Sequence, residues 1–201
     1  MYALIENNTI TKYFNSPKGF TLGDKQYPSD IFMKWSVEEK EAIGIYEVIF
    51  DNTNKKDEQW YINTNQSFAF ADGKVTGSYG SATAKAHADT LFTAQDETDG
   101  LGTEGEVAVR GLKYNLIQNL KSQVANELAR TDWYITRNTE KSTAIPSSIS
   151  THRDAVRTKQ ASMETAITNA SDTPALETLY TYTTTDDVQS RPLGELPTLE
   201  I

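Results

Sequence analysis

The 201-residue chain holds 28 aspartates and glutamates against 19 lysines and arginines, with an apolar fraction of 37% and no cysteine. The missing cysteine excludes disulfides, thiolate nucleophiles and cysteine-based metal sites, and basic runs no longer than pairs such as Lys55-Lys56 argue against direct nucleic-acid binding. No stretch approaches about 18 consecutive apolar residues, so no membrane span is predicted, and the opening MYALIENNTI lacks the cationic and apolar regions of a secretory signal.

The first elements read as strands. Tyr2–Ile5 and Ile10–Phe14 flank Asn7-Asn8, a pair that tolerates the positive φ of a tight turn. Residues 15–30 carry Pro17, Gly19, Gly23 and Pro28 and read as loop. Ser36-Val37-Glu38-Glu39 has the form of a capping box, predicting a short helix to about Ile43 with Gly44 as its stop. Tyr46–Phe50, Gln59–Asn63 and Ser67–Ala71 are strand-like, with a turn at Asn63-Thr64-Asn65 between the last two. Asp72-Gly73 then predicts a hairpin into Lys74–Tyr79. The aromatics of this module (Tyr13, Phe14, Trp35, Tyr46, Phe50, Trp60, Tyr61, Phe68 and Phe70) are expected to supply most of its core.

Gln95–Glu106 (QDETDGLGTEGE) is acidic and glycine-rich and reads as a solvated linker. From Val107 a helical period begins. Val109, Leu112, Leu116, Leu120, Val124 and Leu128 recur every three or four residues, predicting a helix to about Arg130. Thr131-Asp132 reads as a break, followed by Trp133-Tyr134-Ile135. Pro146 suits the first turn of a second helix, striped by Ile149, His152, Val156, Met163, Ile167 and Ala170. At about 22 residues each, two such helices span about 33 Å. Ser171–Pro174 stops the second helix and starts a short one at about Ala175–Leu179. Residues 183–201 read as an extended tail whose apolar RPLGELPTLEI suits a groove on this chain or on a neighbour.

The fold class predicted is α+β: a β-rich module with one short helix (1–85), an acidic junction (86–106), a helical hairpin (107–182) and an extended tail (183–201). The lean apolar fraction favours modules stabilised by a partner or by self-association. The stripes (Val109, Leu112, Leu116, Leu120, Val124 and Leu128; Ile149, Val156, Met163 and Ile167) serve either packing within the chain or a coiled-coil contact between copies.

Chemistry is sparse. His87 has Asp89 two residues on but no set of three or four ligands for a metal. His152 lies on an apolar stripe, as a core or interface residue. Ser78 lacks the strand–elbow–helix setting of a hydrolase nucleophile. Gly100, Gly102 and Gly105 lie in an acidic loop that would repel phosphate, and the spacing of Asp96, Glu97, Asp99, Glu104 and Glu106 matches no twelve-residue calcium loop. No catalytic residue, metal or cofactor is predicted. The aromatics of the β-module suit either a sugar platform or its core.

WSVEEKEAIGIYEV (Trp35–Val48), HADTLFTAQDETDGLGTEGEVAVRGLKYN (His87–Asn115) and ELARTDWYITRNTEKSTAIPSSISTHRDAVRTK (Glu127–Lys159) resemble tailed-bacteriophage virion proteins of the tail fibre-like or structural kind common in marine phages. Thr131–Tyr134, Arg137, Ile145-Pro146, Arg153 and Arg157 are similar to the C-terminal segment of tail-fibre and tail-fibre-assembly proteins, and RPLGELPTLEI fits the same group. The resemblance implies a non-enzymatic part of a tail (fibre, baseplate or adaptor), made in the bacterial cytoplasm and built into the virion. It implies other tail proteins and further copies of the chain as partners, with a fibre-assembly chaperone or a binder of host-surface glycan as the other readings. In that setting Trp133 is expected to anchor the hairpin apex, with Arg137, Arg153 and Arg157 pairing to Asp132, Glu140 or Asp154.

Overall fold

The computed structural model describes residues 1–64 and 66–199, so Asn65 of the expected turn and the last two residues of the tail lie outside it. The fold is α+β, with a curled β-sheet module followed by helices. The chain divides into two compact units, Met1–Thr83 and Ala84–Ile201.

In the first unit, β1 (Tyr2–Glu6) and β2 (Thr9–Phe14) form an antiparallel hairpin. Its turn is Asn7-Asn8, both at positive φ (52° and 60°). The expected loop at 15–30 instead holds a second hairpin, β3 (Phe20–Leu22) with β4 (Lys25–Tyr27), reversed at Gly23. Phe20 supplies the reason: it is buried against Phe14 and stacks on Tyr27, so these strands cover one face of the sheet. A short helix unforeseen from the sequence follows, α1 (Ile31–Lys34), and buries Ile31 and Phe32.

Ser36 and Glu39 form the capping box of α2 (Val37–Glu41). Gly44 ends this segment at φ +79°, its carbonyl accepting the Ile5 N–H. A Cβ there would stand 2.5 Å from the Ile5 carbonyl oxygen, so only glycine fits.

β5 (Ile45–Asp51) pairs antiparallel with β1 and parallel with β8 (Lys74–Ser78), which pairs with β7 (Ser67–Ala71) through the Asp72-Gly73 turn. The sheet order is β2-β1-β5-β8-β7. Its curl brings Tyr13 of β2 against Phe68 of β7, ring centroids 4.9 Å apart. β6 (Tyr61–Ile62) stands outside this sheet, so the hairpin expected between it and β7 is not formed. β9 (Thr83–Ala84) falls at the division of the units.

Strand alternation builds two cores. Leu4 joins Phe14, Phe20, Ile31, Phe32 and Ile45 on one face, while Ala3 joins Val48 and Val75 on the other. Two of the expected core aromatics, Tyr13 and Phe50, are exposed.

The second unit begins with β10 (Thr90–Leu91), α3 (Ala94–Thr98) and β11 (Val107–Val109), the strands pairing antiparallel around the helix. The expected linker is therefore folded. Thr93 and Asp96 form a capping box, Phe92 exchanges backbone bonds with Gly105 and Glu106, and Leu101 N–H reaches the Asp96 carbonyl. Gly102 lies on the Phe92 ring, where a Cβ would stand 2.4 Å away.

Next come α4 (Leu112–Ala129), α5 (Asp132–Lys141), α6 (Ser147–Asn169) and α7 (Thr173–Tyr180). The expected polar break at Thr131-Asp132 is a helix junction, and the hairpin apex is itself helical. The expected extended tail opens with another hairpin, β12 (Thr183–Thr185) with β13 (Val188–Ser190), turning at Asp186-Asp187 with both φ positive. Beyond it Leu193 is buried and its N–H bonds the Leu179 carbonyl, so this stretch docks on its own unit.

Candidate functional site

The two apolar stripes meet within one copy. α4 packs along α6. Leu116, Leu120 and Val124 are buried, as are Ile149, Val156, Met163 and Ile167, the last two valine and isoleucine positions (156 and 167) completely. Leu112 and Leu128 are half-buried at the ends of α4. These residues therefore build the unit's core, and a coiled coil between copies would have to open it.

Val109 is a correction. It lies on β11, not on the helix, and is 63% exposed. β-branched Val107 and Val109 pair with Leu91 and Thr90, and extended Gly111 separates them from the first helical turn.

α4 starts without a side-chain cap, because Gly111 has none to offer. The segment before β10 does the capping instead. Leu112 N–H bonds the Ala86 carbonyl, Lys113 N–H bonds the His87 carbonyl, and Gly111 N–H bonds Asp89 Oδ1 at 2.7 Å. These are donors that a helix start leaves without partners.

Arg110 Nη1 also donates to Asp89, at 2.6 Å. The Gly111 N–H first, and Arg110 second, hold the Asp89 carboxyl below its ordinary value. A depressed carboxylate contributes stability above its unfolded pKa and loses it as pH falls through the folded one. The urea midpoint of the wild type is expected to fall between about pH 5 and about pH 3. Asp89→Asn should start lower and fall less over that window; parallel curves would show that Asp89 contributes nothing to this dependence.

At the other end of α4, His152 Nε2 stands 3.0 Å from Glu127 Oε1, both side chains nearly covered. Burial pushes the Glu127 carboxyl up, but Arg130, the Leu199 N–H and His152 together outweigh it and hold the group below its ordinary value. Glu127 thus ties α4, α6 and the C-terminal segment to one point.

The expected apex anchors behave differently from one another. Arg153 is buried, and its Nη1 donates to the Leu128 carbonyl (2.8 Å), Thr131 Oγ1 (2.7 Å) and Asp132 Oδ1 (2.8 Å). It joins α6 to the α4–α5 junction and is the apex anchor. Trp133 is not: it is 50% exposed, its ring tilted against Tyr134 with centroids 3.8 Å apart, and Arg137 lies over its face. It points outward because helical residues 132–141 carry no stripe broad enough to bury them, and no α5 residue is buried. Arg157 pairs with Asp154 on the exposed surface of α6 and holds no junction.

Between the starts of α5 and α6 lies a groove of about 410 Å³ lined by Arg130, Trp133, Tyr134, Pro146, Ser148, Ile149 and Leu199. It includes Trp133 and Ile149, both singled out from the sequence.

Elsewhere the candidate groups have structural roles. Ser78 Oγ faces Ser67 Oγ across β7 and β8 at 3.3 Å. Asp96 caps α3, and Glu97 accepts the Glu104 N–H. Among the described residues no three His, Asp or Glu side chains converge as a metal site requires, and no helix is long and apolar enough to cross a membrane. Trp60 is buried and Trp35 half-buried edge-on to Tyr27, which argues against a sugar platform built on these two rings. No protein family, curated protein or solved structure matches the chain.

Proposed function

We propose that the chain is a structural, non-enzymatic component of a bacteriophage tail, in its fibre, baseplate or adaptor region, acting through protein–protein assembly. The setting rests on the resemblance of Trp35–Val48, His87–Asn115 and Glu127–Lys159 to tail virion proteins. The assembly role rests on one observation. The second unit closes its own core yet keeps Leu101 (65%), Val109 (63%) and Trp133 (50%) exposed. Single exposed apolar side chains are ordinary, but Trp133 lines an apolar groove, the kind of pocketed aromatic that anchors protein contacts. The partners are other tail proteins and further copies. The chain is made in the host cytoplasm and incorporated into the virion, where repetition turns weak contacts into avid ones.

Quantitative mass spectrometry of purified particles and of isolated tails tests this reading. The expected result is a fixed stoichiometry to the other tail proteins. Presence in infected-cell lysates with absence from finished particles would overturn it in favour of a fibre-assembly chaperone.

A further inference from the structure

We infer that copies of this chain dock head to tail, the exposed Leu101 of one copy seating in the Trp133 groove of the next. The inference deepens the assembly reading above and takes only its setting in a particle from it.

Two unlike surfaces lie at opposite ends of α4. The helix has 18 residues, which separates its ends by about 27 Å. At its N-terminal end the loop between β10 and β11 carries Asp96, Glu97, Asp99, Glu104 and Glu106, with no lysine or arginine between Lys85 and Arg110. Leu101 projects from the middle of these carboxylates. The loop is ordered for presentation by the Thr93 capping box, by the bond from Leu101 N–H to Asp96, and by Gly102 lying on Phe92.

At the C-terminal end of α4 is the groove, an aromatic and aliphatic hollow with Arg130 at its side. Its neighbouring acids are already engaged: Glu127 by Arg130 and His152, Asp132 by Arg153. Arg137 lies over Trp133 and Lys141 follows one turn later, and among the described residues neither pairs with a carboxylate. Glu140 is the remaining acid of α5. An apolar knob ringed by carboxylates thus meets a hollow whose unengaged charges are mainly positive. The hollow exceeds a leucine side chain in volume and admits the flanking loop as well. Knob and groove are unlike and lie at opposite ends of α4, so each copy offers both and the contact can continue from copy to copy, whereas a reciprocal two-fold pair would close at a dimer.

Sedimentation velocity of the full chain across a concentration series is the test. Wild type should grow beyond a dimer with concentration, and high salt should weaken that growth because exposed charges are screened. Trp133→Ala and Leu101→Ala should each weaken association by about 30-fold or more, as loss of a buried contact anchor does, with unchanged circular dichroism. Arg137→Glu provides a second groove variant that leaves Trp133 in place. A 1:1 mixture of Trp133→Ala and Leu101→Ala should stop at a heterodimer, since each supplies the one working surface the other lacks.

A wild type that stays monomeric, as it would if the groove took a segment of a different protein, overturns the inference. So does a closed dimer, or a mixture that fails to associate. The tail reading fails separately: a chain that oligomerises in this way but is missing from particles keeps the inference and loses the tail, and a monomer found in particles does the reverse.

Discussion

Replacing Arg153 by methionine is expected to lower stability by about 2 kcal/mol, within the range for leaving a buried polar group without its partner. Methionine fills the same space but leaves Thr131 Oγ1 without its donor, while the Leu128 carbonyl keeps the Arg130 and Thr131 N–H groups and the Thr131 hydroxyl. Thr131 is fully buried, so water does not replace it. The Asp132 bond matters less, because that carboxylate is 60% exposed. Lysine should be the milder change. All three bonds come from one guanidinium nitrogen, so an ammonium with its three donors can replace them, and a loss of about 1 kcal/mol is expected. Urea denaturation followed by helical circular dichroism measures both. A methionine variant within about 0.5 kcal/mol of wild type would show that Arg153 does not hold the apex.

The importance of Arg153 was half legible. The sequence places it among the apex residues but offers three acids as partners, Asp132, Glu140 and Asp154, without distinguishing it from Arg137 or Arg157. The misreading of α5 explains this. Thr131–Lys141 has no apolar period, so it reads as a break. It is helical because Thr131 and Asp132 are held from outside by Arg153, a contact no local pattern reports. Where sequence and tertiary demands coincide, the reading is close. The Ser36–Glu39 capping box, the turns at Asn7-Asn8 and Asp72-Gly73, and the stripes of α4 and α6 all carry their structural cause in consecutive residues. Where the cause is remote, the reading fails. β3 and β4 exist because Phe20 finds Phe14, and β5 runs parallel to β8 through a connection that no short motif marks. The acidic loop lies between. Its composition reads as linker, yet Thr93-Ala94-Gln95-Asp96 spells a helix start with an aspartate in the glutamate's place, and the contact of Phe92 with Gly102 spans ten residues and is silent in sequence.

The glycine at the start of α4 carries the second large expected effect. Gly111→Ala should destabilise the second unit by about 3 kcal/mol, at the upper end for overpacking a tight contact. Its φ is −83°, so an alanine is conformationally acceptable. The obstacle is space: a Cβ would stand 2.3 Å from both the Ala88 carbonyl carbon and its oxygen, which are backbone and cannot rotate away. Relieving that contact means moving residues 86–89 off the helix start. Their carbonyls and the Asp89 carboxylate would then release the N–H groups of Gly111, Leu112 and Lys113 together. Gly100→Ala is the control. It sits at φ +74° in open space, so only backbone strain of about 1 kcal/mol opposes it. Urea midpoints should therefore order wild type, Gly100→Ala, Gly111→Ala; reversal of the last two would mean that residues 86–89 yield without loss. The same corner carries the loop that presents Leu101, so the two glycines separate local strain from displacement of the whole surface. Gly111→Ala should weaken self-association even where the protein remains folded, since it shifts the base from which the knob projects.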